Sequence, residues 1–243
     1  MAVIAIFSPK GGVGKSTLAV NLAWCAARMS KSRTLLWELD PLRGASFLLG
    51  EDEERWKPAF SIFAKDRPAR SLIMPTEVEG LDLLPSDRSL TELDNYFMQL
   101  GKKRRLAKIA DDLKSEYQTI ILDCPPVMNE LSRQIMRAAD IIVVPLSPSP
   151  LARRSLDLVR KELAQSVKSE AAVLPVFSMI DRRRTLHREA CAAQPSWPVI
   201  PMSSAIEQVA IRRAPIGAFH GSCPAAQAIA TLWRGIEGKL AKS

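Results

Sequence analysis

Short, nearly continuous apolar runs recur along the chain, separated by longer stretches with helical periodicity. The runs Val3–Phe7, Thr34–Trp37, Leu81–Leu84, Thr119–Leu122, Ile141–Val144 and Val173–Phe177 read as strands. They are rich in Val, Ile and Leu rather than alternating with polar residues, which is the pattern of strands covered on both faces. Helices are predicted over Ser16–Met29, Lys102–Glu116, Glu130–Ala138, Leu151–Val167 and Ala225–Leu240. Strands alternating with helices predict an α/β fold, a mostly parallel twisted sheet flanked by helices. Prolines 9, 41, 85, 125, 145 and 201 mark strand ends, where loops turn over the sheet edge. In such sheets ligands sit beyond the carboxyl ends of the strands, so chemistry is expected in those loops. The stretch Glu51–Pro75 is the least regular and reads as a mobile insert or as helices without clear limits. No internal repeat or low-complexity tract is visible.

Composition narrows the class. With 47% hydrophobic and 25% charged residues, the 243-residue chain has enough apolar content for a sizeable core. Its length suits one α/β domain over residues 1–243, and less well two small ones. No apolar run approaches the roughly 20 residues that span a bilayer. The opening MAVIAIFSPK has neither a basic n-region nor a small-residue cleavage site, so no secretory signal is expected. Cys25, Cys124, Cys191 and Cys223 form no CxxC pair, which argues against a zinc or iron–sulfur site within one chain and fits a reducing cytoplasm. The formal net charge of +8 is unevenly spread: residues 1–150 carry 20 basic and 19 acidic side chains, residues 151–243 carry 14 and 7. The excess belongs to the C-terminal third, which points to a positive face.

The strongest chemical signal follows the first predicted strand: Lys10-Gly11-Gly12-Val13-Gly14-Lys15-Ser16-Thr17, leading into the helix TLAVNLAWCAA. This is the context of a phosphate-binding loop. Glycines let successive N–H groups point into one anion-binding hollow, and the helix start adds its positive dipole end. Lys15 would reach the β- and γ-phosphates, and the Ser16 hydroxyl would ligate Mg²⁺. Hydrolysis also needs carboxylates; Asp123 ends the apolar run TIILD, where it would hold Mg²⁺ through a water.

No glycine stands where the ordinary GxxxxGK[ST] pattern opens, and Lys10 is an additional lysine. The loop KGGVGKS resembles the deviant Walker A motif, KGGxGK[ST], of the ParA/MinD family of P-loop ATPases. Segments along nearly the whole chain share that resemblance. It implies binding of ATP and Mg²⁺, an ATP-sandwich homodimer, and weak ATP hydrolysis stimulated by a ParB-like or cargo-adaptor partner. By matching position, Lys10 would reach the partner subunit's nucleotide, and Gly11 would lie where the two loops come closest. The sequence Asp123-Cys124-Pro125-Pro126 matches the family's DCPP. Asp40 resembles the second aspartate of the switch segment DxDPQGN, which orients the attacking water, senses the γ-phosphate and borders the Mg²⁺ site. Here Glu38 replaces the first aspartate and Leu42-Arg43-Gly44 replaces Gln-Gly-Asn. The longer Glu38 is expected to sit differently over the Mg²⁺ shell. Gly80–Leu93 and Ile141–Pro150 resemble further family segments, and Ser178–Asp181 with Ile200–Met202 fall where the family cradles adenine. Met179, Pro201 and Met202 are therefore candidate base contacts.

Arginines cluster at Arg153-Arg154, Arg182-Arg183-Arg184 with Arg188, and Arg212-Arg213. Taken alone, such runs read as solvated loops or as a phosphate-neutralising surface. The resemblance implies non-specific DNA binding by Arg182, Arg183, Arg184, Arg212 and Arg213, a salt-dependent contact that needs no base-reading element. Met202 stands where many family members carry an arginine. The expected activity is segregation or positioning of DNA or another cargo, in a cytoplasmic, nucleoid-associated protein. The alternative is a MinD-like, membrane-associated regulator. Ile229, Leu232, Trp233, Ile236 and Leu240 form an apolar stripe in the last predicted helix, suited to packing on the sheet or to membrane targeting. A cellulose-biosynthesis or flagellar-placement relative shares the same core. Cys25 is expected in the core, and Cys191, His187 and His220 have no matched chemical partner.

Overall fold

The computed structural model of the chain describes residues 1–51, 58–64, 67–101, 104–165 and 171–242. The helix limits at Lys102 and Val167 expected from the sequence lie outside the described residues. Eight strands are described: β1 (Ala2–Ile6), β2 (Thr34–Glu38), β3 (Met74–Pro75), β4 (Leu81–Leu84), β5 (Thr119–Asp123), β6 (Ile141–Leu146), β7 (Ala172–Ile180) and β8 (Val199–Pro201). They form one sheet in the order β3-β4-β2-β5-β1-β6-β7-β8. Every neighbouring pair is parallel except β3 with β4. The helices are α1 (Lys15–Met29), α2 (Gly44–Leu48), α3 (Ser61–Ala64), α4 (Leu93–Leu100), α5 (Arg105–Leu113), α6 (Glu130–Ala138), α7 (Pro150–Gln165), α8 (Thr185–Ala193), α9 (Ser204–Arg212), α10 (Ile216–His220) and α11 (Pro224–Leu240).

The continuous apolar runs are strands because helices cover both sheet faces. One core joins Phe7, Trp37 and Leu122 of the sheet region to Phe63, Phe97, Leu113, Ile135 and Leu156 from α3 to α7. The other joins Ile4, Leu36 and Val143 to Leu22, Ala26, Val209, Ile229 and Trp233 from α1, α9 and α11. Each fully buried side chain of Leu, Ile or Phe size contributes about 1.5–3 kcal/mol. Cys25 is core, as expected, and burial pushes its thiol up to about 12, which leaves it unreactive at neutral pH. The apolar stripe of α11 also packs inside: Ile229, Leu232, Trp233 and Ile236 are buried, and Trp233 Nε1 donates to Ser30 Oγ at 2.7 Å. Gly217 permits the approach of α10 to α1, because a Cβ there would collide with the Trp24 ring at 2.3 Å.

Several sequence expectations need adjustment. β2 and β5 run on to include Glu38 and Asp123, so both carboxylates sit on strands rather than in loops. The irregular stretch before Pro75 holds α3, a 3₁₀ turn at Ala69–Ser71 and the two-residue β3. The edge strand β8 and the short helices α8, α9 and α10 were not delimited from the sequence. His220 ends α10.

Candidate nucleotide site

The carboxyl ends of β1, β2 and β5 converge below the glycine loop. Gly12 (φ 71) and Gly14 (φ 83) adopt the left-handed conformation that glycine reaches without penalty. Gly14 is the N-cap of α1, which has no side-chain cap and no acidic residue in its first turn. Its leading N–H groups are therefore available to an anion at the positive end of the helix dipole. Lys15 is only 7% exposed, and Ser16 and Thr17 are half-buried. The buried Ser178 hydroxyl, on β7, donates to the Val13 carbonyl at 2.9 Å and pins the loop to the sheet. Lys10 turns back within the chain: its Nζ donates to Ser147 Oγ, at the end of β6, over 3.1 Å. A Cβ added at Gly11 would meet no atom within 4 Å, so nothing in this chain requires glycine there.

Three carboxylates stand around Ser16 and Lys15, in contrasting states. Asp123 is fully buried, and neither of its side-chain oxygens has a hydrogen-bond partner. Burial pushes it up to about 8; Glu38 and Asp40 reinforce that rise, while the nearby Ser16 hydroxyl and Lys15 oppose it. Glu38 is equally buried but saturated. Its Oε1 accepts from Ala45 N (2.7 Å) and Ser46 N (3.0 Å); its Oε2 accepts from Ser46 Oγ (2.5 Å) and Ser86 N (3.1 Å). Glu38, expected to sit differently over a Mg²⁺ shell, spends its oxygens on the start of α2 and on Ser86. Asp40 is 8% exposed, its Oδ1 accepts from Leu42 N at 3.0 Å, and its carbonyl accepts from Ser86 Oγ at 2.6 Å. Sequence reasoning missed Ser86 and Ser147, two serines whose roles arise only from distant strands meeting.

The residues fit a phosphate-bound Mg²⁺. Among the described residues no group of three or more His, Cys, Asp or Glu forms a metal cage. Mg²⁺ keeps waters and substrate phosphates as ligands and takes one or two protein oxygens. An orphaned buried carboxylate beside a serine hydroxyl and a lysine is such a donor set. Gly44 closes the site from the switch side: a Cβ there would lie 2.8 Å from Ser16 Oγ. Arg43, just before it, adopts a left-handed φ of 58 as the N-cap of α2.

On the far side of the loop, β7 departs from regular pairing between Phe177 and Ile180, and Met179 has a φ of 60. Met202 N donates to Ile180 O at 2.9 Å, so the ends of β7 and β8 gather Met179, Pro201 and Met202 along one edge. Met179 and Met202 are exposed there, leaving apolar surface for a ring to lie on. His187, which had no assigned partner, is buried on α8, where its Nδ1 accepts from Asp181 N at 2.9 Å and fixes the turn after β7.

The candidate DNA arginines are all exposed. Several are already engaged. Arg183 pairs bidentately with Asp181 at 2.9 and 3.0 Å, which holds that carboxyl down at about 2. Arg212 lies 4.9 Å from the Phe219 ring centroid and Arg213 lies 4.8 Å from that of Phe47. Among the described residues no helix is long and apolar enough to cross a membrane.

A family model described as an AAA domain matches residues 1–173. The chromosome partitioning protein ParA of Myxococcus xanthus is 35% identical over 184 residues; the match covers 72% of this chain and 65% of that protein, so the chain spans less than two thirds of that relative's length. The sporulation initiation inhibitor protein Soj of Bacillus subtilis is 32% identical over 193 residues, covering 76% of this chain and 75% of Soj. Apo McdA from Cyanothece superposes with a TM-score of 0.84 at 20% identity, covering 97% of this chain and 98% of that one. At that identity the likeness is one of fold.

Proposed function

Since the chain belongs to the ParA/MinD family of P-loop ATPases, we propose that it works as a partition or positioning ATPase whose ATP-bound form is a DNA-holding homodimer. The observation that carries the reading is Asp123: a fully buried carboxylate with two unpartnered oxygens, beside Lys15 and Ser16. An orphaned buried carboxyl group is costly to keep, and a ligand that needs it explains its retention.

In this reading the loop N–H groups of residues 11–15 and the Lys15 ammonium hold the β- and γ-phosphates of ATP. A bound Mg²⁺ would supply neutralisation of the charge that develops on the phosphates. Ser16 and Asp123, the latter by way of a water, would hold it; Asp40 would border that site and orient the water for attack on the γ-phosphate. Met179, Pro201 and Met202 bear on the adenine ring. Lys10 leaves Ser147 to reach the nucleotide of a second subunit. Gly11 leaves open space on the described residues' side, where the loop of a second subunit could approach closely. Arg182, Arg183, Arg184, Arg212 and Arg213 then form a surface that neutralises DNA phosphates without reading sequence. Hydrolysis is weak until a ParB-like or cargo-adaptor protein stimulates it, and it returns the dimer to monomers.

The test is size-exclusion chromatography with light scattering on the wild type and Asp40→Ala, with ATP and Mg²⁺, with and without DNA. Asp40→Ala with ATP should elute as a stable dimer that carries DNA, and the nucleotide-free protein as a monomer. A monomer in every condition would overturn the reading.

A further inference from the structure

One short helix touches both the phosphate loop and the basic face. At its first residue, α2 comes so close to the loop that a Cβ on Gly44 would lie 2.8 Å from Ser16 Oγ. In its last turn Phe47 is 41% exposed, and the Arg213 guanidinium carbon stands 4.8 Å from its ring centroid. The backbones are close as well: a Cβ on Gly50 would lie 3.9 Å from the Arg213 Cβ. Glu38 grips the N–H groups of Ala45 and Ser46, so α2 is fastened to the end of β2 and to the segment that carries Asp40. The contacts of Arg183 with Asp181 and of Arg212 with Phe219 and Gln208 stay within the C-terminal third. The contact of Arg213 with Phe47 crosses to the switch segment.

We propose that the stacking of Arg213 on Phe47 couples nucleotide state to the basic face. Without a γ-phosphate the contact holds Arg213 against α2; when the γ-phosphate repositions the segment from Asp40 to Gly44, α2 withdraws Phe47 and the guanidinium is released to DNA phosphate. This rests on the DNA-holding reading above and names the regulation of that same surface. An exposed contact of this kind shifts an equilibrium about two- to five-fold. Linkage requires that DNA change the affinity for ATP by the same factor that ATP changes the affinity for DNA.

The experiment measures the dissociation constant of a labelled double-stranded oligonucleotide by anisotropy, without nucleotide and with ATP and Mg²⁺, and that of ATP with and without the oligonucleotide. The proteins are the wild type, Phe47→Ala, Phe47→Tyr and Arg213→Ala. Phe47→Ala should tighten the nucleotide-free DNA complex about two- to five-fold, leave the ATP complex unchanged, and raise ATP affinity in the absence of DNA by the same factor, because the stack no longer has to be broken. Phe47→Tyr, which keeps the ring face, should match the wild type. If Arg213→Ala weakens DNA binding while Phe47→Ala leaves the ratio between the two states unchanged, the coupling is overturned and the DNA surface stands. Unaltered ATP affinity of Phe47→Ala in the absence of DNA also overturns the coupling, because ATP binding would then not break the stack. A wild-type protein that holds no DNA in either state overturns the DNA-holding reading itself.

Discussion

Glu38 and Asp123 are register partners at the carboxyl ends of β2 and β5, and both are fully buried, yet their surroundings are opposite. Four donors from α2 and the Ser86 turn saturate Glu38, whereas Asp123 has none. Burying a carboxylate is tolerable only when hydrogen bonds replace water, so Glu38 serves the fold. Asp123 has no such donors, so its burial costs the fold. Neighbouring acids of similar chemistry thus divide the work: one builds the switch segment, the other waits beside the phosphate loop.

The sharpest way to break this comparison is Glu38→Ala. It strands the N–H groups of Ala45, Ser46 and Ser86 in the interior, and the expected loss is about 3–5 kcal/mol of stability. Denaturant unfolding reads it, and Glu38→Gln should lie between. A stable Glu38→Ala protein that merely loses ATPase activity would reverse the assignment. Asp123→Asn should do the opposite. ATP hydrolysis falls about 10²–10³-fold, by analogy with loss of a preorganised electrostatic group, while the nucleotide-free protein melts at a higher temperature than the wild type. Steady-state ATPase rates and calorimetry on the same samples separate the two effects.

Next comes pH. Asp123 is raised in the folded protein from 3.8 to about 8, so between those values the folded state holds a proton that the unfolded state lacks. Its contribution is therefore greatest at low pH and is lost as pH rises towards 8, with a slope of at most about 1.4 kcal/mol per pH unit. Melting temperatures of the nucleotide-free wild type should fall relative to those of Asp123→Asn across that window, and parallel curves would contradict the orphaned state. The smallest expected effect is at Gly11. Gly11→Ala should leave stability and ATP affinity within about 0.5 kcal/mol of the wild type, since the chain offers the new methyl no neighbour. Its dimer formed with ATP should nevertheless be lost in light scattering.

The central fold was legible because its strands are buried on both faces and written in nearly continuous apolar residues, as in β1, β5 and β6. The glycine loop was legible because its chemistry is local: glycines, a lysine and a serine within one turn of each other. The edges were not. β3 has two residues and ends on Pro75, and β8 has three, so neither carries a period of its own. The role of Glu38 was out of reach for a different reason. Its partners lie 7, 8 and 48 positions away and meet only when β2 and β4 pair. For the same reason Phe47 and Arg213 looked unrelated. Nothing in either neighbourhood announces a ring contact between α2 and the end of α9.

The hydrogen bond from Lys10 to Ser147 changes how association should be counted. A lysine waving in water would surrender about 1.5–2 kcal/mol of rotameric freedom on docking. Here much of that ordering has already happened inside the single subunit. In the proposed homodimer Lys10 would exchange one acceptor for another, a swap nearly neutral in bond number and light in entropy. Such a swap makes a reversible joint, one that closes when ATP tips the balance and reopens without leaving a stranded charge.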